Sequence, residues 1–187
     1  MIYDLIVIGA GSGGVRAARI ASVHGAKVAM IENNKFGGTC VNVGCVPKKF
    51  FFYLSQIYKD VEIYNSFGAN IDVSKIKWTQ FIKKKDKEIN RLNNVYENIL
   101  NKNKIKIIKG SAKFLDSRKV IVGKKTYQAK NFIIATGGKP FKTEALKNNK
   151  HTCTSDDIFK LKKLPKRMVI EGGGSVSYTH LTLPTIE

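Results

Sequence analysis

Two cysteines stand five positions apart in Gly37-Gly38-Thr39-Cys40-Val41-Asn42-Val43-Gly44-Cys45-Val46-Pro47-Lys48-Lys49. Glycines let a backbone press closely against a ligand, and proline suits the first turn of a helix. The spacing predicts a helix start at Cys40 and Cys45, where the positive end of the dipole stabilises a thiolate. A pair so placed can close a short strained disulfide and reopen it, which is redox chemistry rather than stapling. Two buried structural cysteines are the plain alternative, and the flanking Gly, Pro and Lys speak against it. No metal is expected, because no second Cys or His pair is spaced to complete a four-ligand site.

The elements that must position this pair begin at the amino terminus. Tyr3 to Ile8 is a short apolar run that reads as a buried strand. Gly9-Ala10-Gly11-Ser12-Gly13-Gly14 follows, then Val15 to Val23 with helical patterning, then a second strand from Lys27 to Ile31 that ends at Glu32. Gly9 allows a tight turn, Gly11 lets the backbone approach a pyrophosphate, and Gly14 lets helix and strand pack. The helix start then faces the phosphates, and Glu32 can accept hydrogen bonds from a ribose. The glycine motif alone does not separate FAD from NAD. The cysteine pair favours FAD, since a flavin is the usual intermediary between hydride and thiol chemistry.

Downstream, the helix begun at the cysteines continues over Phe50 to Tyr64, with Phe50, Leu54, Ile57, Tyr58 and Val61 on a core face. A second long helix is expected from about Lys75 to Asn101, with Lys83-Lys84-Lys85 as its solvated side. Strands are expected at Ile105–Lys109, at Lys119–Val122 and Lys124–Gln128 as a hairpin around Gly123, and at Phe132–Ala135. The last of these ends in Thr136-Gly137-Gly138, a second place where backbone can approach a ligand closely. Lys142 to Asn149 reads as a linker, Ser155 to Phe159 as an N-capped short helix, and Arg167 to Glu171 as a last strand before Gly172-Gly173-Gly174.

The chain has 187 residues, one domain by length, and three cysteines. No secretory signal and no membrane span is read in it, so a cytoplasmic location is expected, without a membrane partner. The formal net charge of +19 raises a nucleic-acid reading. The lysines are scattered and no nucleic-acid motif accompanies them, so compositional bias accounts for the charge and no nucleic-acid partner is expected. A positive field can still steer anionic substrates to a cleft.

Taken together, Cys40-Val-Asn-Val-Gly-Cys45-Val-Pro-Lys48-Lys49, Arg91-Leu92-Asn93 leading to Tyr96, Gly110-Ser111-Ala112 and Ala135-Thr136-Gly137-Gly138 resemble the pyridine nucleotide–disulfide oxidoreductases, over about residues 1 to 174. Within that family they are most similar to the glutathione-reductase branch. Mercuric reductases usually carry Ser where Lys48 stands, and high-molecular-weight thioredoxin reductases usually carry Ile at position 46.

The resemblance implies an α/β fold: a Rossmann-like FAD-binding domain with a parallel sheet, helices and a small antiparallel β-meander, here incomplete. It implies a homodimer that passes electrons from NADPH through FAD to the Cys40–Cys45 disulfide and on to glutathione disulfide. Cys40 matches the cysteine that attacks the substrate, Cys45 the one that lies against the flavin, and Lys48 the cation beside the flavin. Gly9, Gly11, Ser12, Gly13, Gly14, Glu32, Gly38, Thr39, Cys40, Lys48, Ala112, Ala135, Thr136 and Gly137 match cofactor-binding positions. Ser12, Arg19 and Tyr96 match positions lining the substrate pocket. Arg19 otherwise reads as a solvated helix residue, and Tyr96 as core.

The expected organisation is residues 1–141 as the FAD-binding part, 142–166 as linker and short helix, and 167–174 as the first strand and glycine turn of an NADPH-binding domain. Residues 175–187 have no helical period and read as adapter read-through. On that reading the chain is an amino-terminal piece, inactive alone as a reductase. The alternatives are another flavin disulfide reductase (mercuric, trypanothione or thioredoxin type) and a basic nucleic-acid-binding module.

Overall fold

A computed structural model of the chain describes residues 2–73 and 77–177. Its packing divides into two units: residues up to Asn42 with Asn90–Gly138, and Val43–Ile89 with the residues from Lys139 onward.

The first unit is built on strand β1 (Ile2–Ile8), followed by helix α1 (Ser12–Val23) and strand β2 (Val28–Glu32). Strands β3 (Lys106–Lys109), β4 (Ala112–Asp116), β5 (Lys119–Val122) and β6 (Lys125–Ile134) complete a six-stranded sheet in the order β3-β2-β1-β6-β5-β4. β1, β2, β3 and β6 run parallel, while β4, β5 and the start of β6 form an antiparallel meander. This is the expected Rossmann-like α/β arrangement.

The near-continuous apolar runs of β1 and β2 follow from burial on both faces of the sheet. Val7, Val28 and Met30 join Val15 and Ala18 of α1 and Leu100 in one core cluster. Ile6, Ala29 and Ile31 join Val120 and Val122 of β5 in the other.

Several local expectations change. Helix α1 starts at Ser12 rather than Val15, so Gly13 and Gly14 are helical. The two strands expected at Lys124–Gln128 and Phe132–Ala135 are one strand, because β6 pairs with β5 through its first residues and with β1 through the rest. Its carboxy-terminal end is not buried: Ile134 is 67% exposed. β4, where no strand is expected, pairs antiparallel with β5.

The unit division falls between the two cysteines, with Cys40 in the first unit and Cys45 in the second. The helix expected to run unbroken from the cysteines is two helices, α2 (Gly38–Val43) and α3 (Cys45–Ser66), interrupted at Gly44 with φ −147° and ψ −117°. On α3, Val61 is buried but Ile57 and Tyr58 are exposed, so the apolar face is only partly core. Helix α4 (Trp78–Lys102) begins beyond residues 74–76, so the expected start at Lys75 lies outside the described residues. Phe51 meets Trp78, Phe81 and Phe159 edge-on, with ring centroids 5.4, 5.3 and 5.3 Å away. Such T-shaped pairs align positive ring edges with negative faces.

Lys85 is not solvated. It is 3% exposed, and its ammonium donates to Asp86 Oδ1 at 2.6 Å and to the Phe159 carbonyl at 2.8 Å. A buried ammonium is tolerated when acceptors replace its water. The expected linker contains a short helix, α5 (Glu144–Lys147). Helix α6 (Ser155–Ile158) is capped by Thr154, whose N–H and hydroxyl both donate to Asp157 Oδ2. These bonds hold the Asp157 carboxyl below the usual carboxylate range. The strand expected at Arg167–Glu171 is not formed, and Val169 is 96% exposed. A strand needs a ladder partner for its N–H and C=O groups, and none of the described strands pairs with this stretch.

Asp4 of β1 links the residue before β2 to β6. Its Oδ2 accepts from the Lys27 N–H at 2.9 Å and its Oδ1 pairs with Lys130 at 2.8 Å. The Lys130 bond, then the Lys27 N–H, holds its carboxyl below the usual value. A depressed folded-state pKa adds stability above the unfolded value of about 4, lost as pH falls through the folded-state value. The urea midpoint of the parent should therefore drop towards that of Asp4→Asn as pH is lowered from 5 to 3; parallel pH profiles would contradict this.

Candidate active site

The turn between β1 and α1 is shaped by close backbone approaches. Gly9 has φ +106°, and a Cβ there would overlap the Ala135 carbonyl oxygen. A Cβ on Gly14 would overlap the Gly9 carbonyl oxygen, so helix and turn meet without a side chain between them. Gly11 is the N-cap of α1, with its carbonyl accepting from the Val15 N–H at 2.9 Å. No side chain caps this end, and no acidic residue lies in its first turn. Gly13 is exposed, and a Cβ on it would meet nothing within 4 Å. The first-turn N–H groups thus lie at an open helix start, the arrangement that receives a phosphate.

Glu32 closes β2 beside this turn. Its Oε2 accepts from the Ala10 N–H at 2.6 Å and its Oε1 from the Asn34 N–H at 2.7 Å. Each carboxylate oxygen retains a lone pair for a further donor, so the group is fixed and can still take sugar hydroxyls. Phosphate-facing donors and a fixed carboxylate at the ends of neighbouring parallel strands fit a dinucleotide.

The cysteine stretch joins the same turn. The Gly37 N–H donates to the Ala10 carbonyl at 2.8 Å. Gly38, at φ +58°, would place a Cβ 2.7 Å from Gly11 Cα. The two glycine segments therefore touch backbone to backbone, and Cys40 follows on α2, half-buried. Thr39 is exposed on the same helix.

Other expected positions fall around this frame. Ala135 packs against the first core cluster and Ala112 against the second, while Thr136 and Gly137 are exposed, the latter at φ +69°. Ser12 and Arg19 are exposed on α1, whereas Tyr96 packs against the first core cluster. In the second unit Cys45 is exposed at the first position of α3, and Lys48 donates its N–H to the Gly44 carbonyl at 2.9 Å. Cys45 is thus at the start of a long helix, and Cys40 lies inside a short one.

Asn42 and Asn93 were not singled out by sequence reasoning. Asn42 stands between the cysteines, and its amide bonds to Asn93, which the Arg91-Leu92-Asn93 motif contains. Among the described residues no group of three His, Cys, Asp or Glu is placed to hold a metal, and no helix is long and apolar enough to cross a membrane.

Residues 3–179 match the family described as pyridine nucleotide-disulphide oxidoreductase. The chain belongs to this family. It is 45% identical over 175 residues to a glutathione reductase of Burkholderia cepacia, covering 94% of this chain and 39% of that protein. It is 41% identical over 174 residues to a glutathione reductase of Nostoc sp., covering 93% and 38%. A glutathione reductase of Schizosaccharomyces pombe is 37% identical over 184 residues, covering 94% and 40%. The chain therefore spans about two fifths of the length of these curated relatives.

The glycines of this family member divide by what surrounds them. Gly14→Ala and Gly38→Ala should each lower the unfolding free energy by about 2 kcal/mol, because the new methyl group meets backbone. Gly13→Ala should be neutral or gain about 0.5 kcal/mol, as alanine favours a helix over glycine. Urea denaturation of the three variants checks the order; equal losses would contradict it.

Proposed function

We propose that this chain is part of an NADPH-dependent, FAD-containing glutathione-disulfide reductase. The observation that carries the reading is the contact of Gly38 with Gly11, which sets the Cys40 turn directly against a dinucleotide-type glycine turn. The likeness to three reductases of that name supports it.

The α1 start at Ser12, Gly13 and Gly14 would receive the FAD pyrophosphate, and Glu32 a ribose. Gly9 and Gly11 give the backbone its close approach, and Gly38, Thr39, Cys40, Lys48, Ala112, Ala135, Thr136 and Gly137 are the further positions assigned to the cofactor. Bound FAD would supply two-electron exchange between a nicotinamide hydride and a dithiol. Lys48 contributes a cation, and Arg19, Ser12 and Tyr96 are assigned to the anionic substrate. A homodimer, a cytoplasmic location and the absence of nucleic-acid or membrane partners belong to the same proposal. So do the domain limits at 141, 166 and 174 and the non-native origin of residues 175–187.

The thiol half-reaction needs only this chain and its substrate. The Cys40 thiolate attacks one sulfur of glutathione disulfide, forming a mixed disulfide and releasing one glutathione thiolate. The Cys45 thiolate then attacks the Cys40 sulfur, releasing the second glutathione and closing the Cys40–Cys45 bond. The reduced chain should thus yield two glutathiones and an internal disulfide. Cys45→Ser should instead accumulate the mixed disulfide on Cys40, and Cys40→Ser should show neither. Peptide mapping by mass spectrometry reads all three outcomes; glutathionylation confined to Cys153 would overturn the proposal.

A further inference from the structure

Helix α2 has six residues, too few to hold its own shape. The turn bearing Cys40 therefore depends on bonds from outside it. One set comes from α4, where Asn93 Nδ2 donates to Asn42 Oδ1 at 3.0 Å and to the Phe36 carbonyl at 2.8 Å. Asn42 Nδ2 donates to the same carbonyl at 3.0 Å and to the Gly38 carbonyl at 2.8 Å. Both amide nitrogens are thus fully used, and the Phe36 carbonyl receives two donors. Reversing either amide would face oxygen with oxygen, so the network has one sense. Its anchor is fixed, since the Phe36 side chain is buried in the first core cluster.

We infer that Asn93 is a positioning residue for the redox pair: through Asn42 it fixes the α2 turn and so sets the equilibrium between the Cys40–Cys45 disulfide and its dithiol. This rests on reading the two cysteines as a redox pair. Neither asparagine needs to touch substrate or cofactor. Their amides restrict the Cys40 turn before ring closure, which lowers the entropy lost when the disulfide forms.

The test uses the full chain with Cys153→Ser, equilibrated in mixtures of reduced and oxidised dithiothreitol and read by mass spectrometry after alkylation. As the Cys40–Cys45 bond forms, two electrons and two protons pass to oxidised dithiothreitol, which becomes its dithiol. The ratio of forms therefore gives the equilibrium constant. Asn93→Leu, similar in volume and without polar atoms, should shift the constant about threefold or more towards the protein dithiol. Asn42→Ala should shift it in the same direction, and the double variant no further than the larger single effect. If Asn93→Leu does not fold by circular dichroism, Asn93→Ser, smaller and keeping one donor, is measured instead and should shift in the same direction. Folded variants with the parent's constant, or an additive double variant, would overturn the positioning role alone. A parent that forms no Cys40–Cys45 disulfide would overturn the redox-pair reading beneath it.

Discussion

Two glycine segments in this chain can meet because Gly38 carries no side chain at the point of contact. Gly38 lies against Gly11 with no room for a Cβ, and its left-handed φ turns the chain into α2. A short series of bonds holds the approach: Glu32 to the Ala10 N–H, then the Ala10 carbonyl to the Gly37 N–H. A carboxylate bonded to a backbone N–H makes a stronger link than a neutral pair. The cysteine turn is therefore positioned from the end of β2, through the first turn of the nucleotide motif.

This constraint explains why α2 can be short. A helix of one or two turns has little stability of its own, and its geometry is borrowed from whatever it touches. Here the borrowed contacts are the glycine approach at one end and the Asn42–Phe36–Asn93 amides at the other. Gly44 then interrupts the helix, so that Cys45 opens α3 as a separate start. The two thiols therefore have different local settings, Cys40 half-buried inside α2 and Cys45 exposed at the start of α3.

Much of the frame was legible in sequence because local rules and tertiary packing agree there. The apolar runs of β1 and β2, the glycine spacing and Glu32 all point to one strand–turn–helix–strand unit. The failures arose where distant partners decide. Lys85 reads as solvent-facing in a lysine run, yet the Phe159 carbonyl and Asp86 bury its ammonium. β6 reads as two strands because its partner changes from β5 to β1 along its length. Arg167–Glu171 has the residues of a strand and, within the described chain, no strand to pair with. Asn42 and Asn93 stand inside motifs the sequence offers but carry no signal of a role by type, since asparagine is common throughout this sequence, and their mutual bond supplies it.

The central claim is that the glycine turn and the Cys40 turn form one nucleotide-and-thiol site. It is tested most directly by the rate at which iodoacetamide alkylates Cys40 in the reduced chain, with Cys153 as the internal reference, before and after FAD is added. The account predicts that FAD slows Cys40 relative to Cys153, and that Gly13→Ala, which adds a methyl group to the open first turn of α1, weakens the protection. Equal rates for Cys40 with and without FAD, or protection that survives Gly13→Ala unchanged, would contradict it.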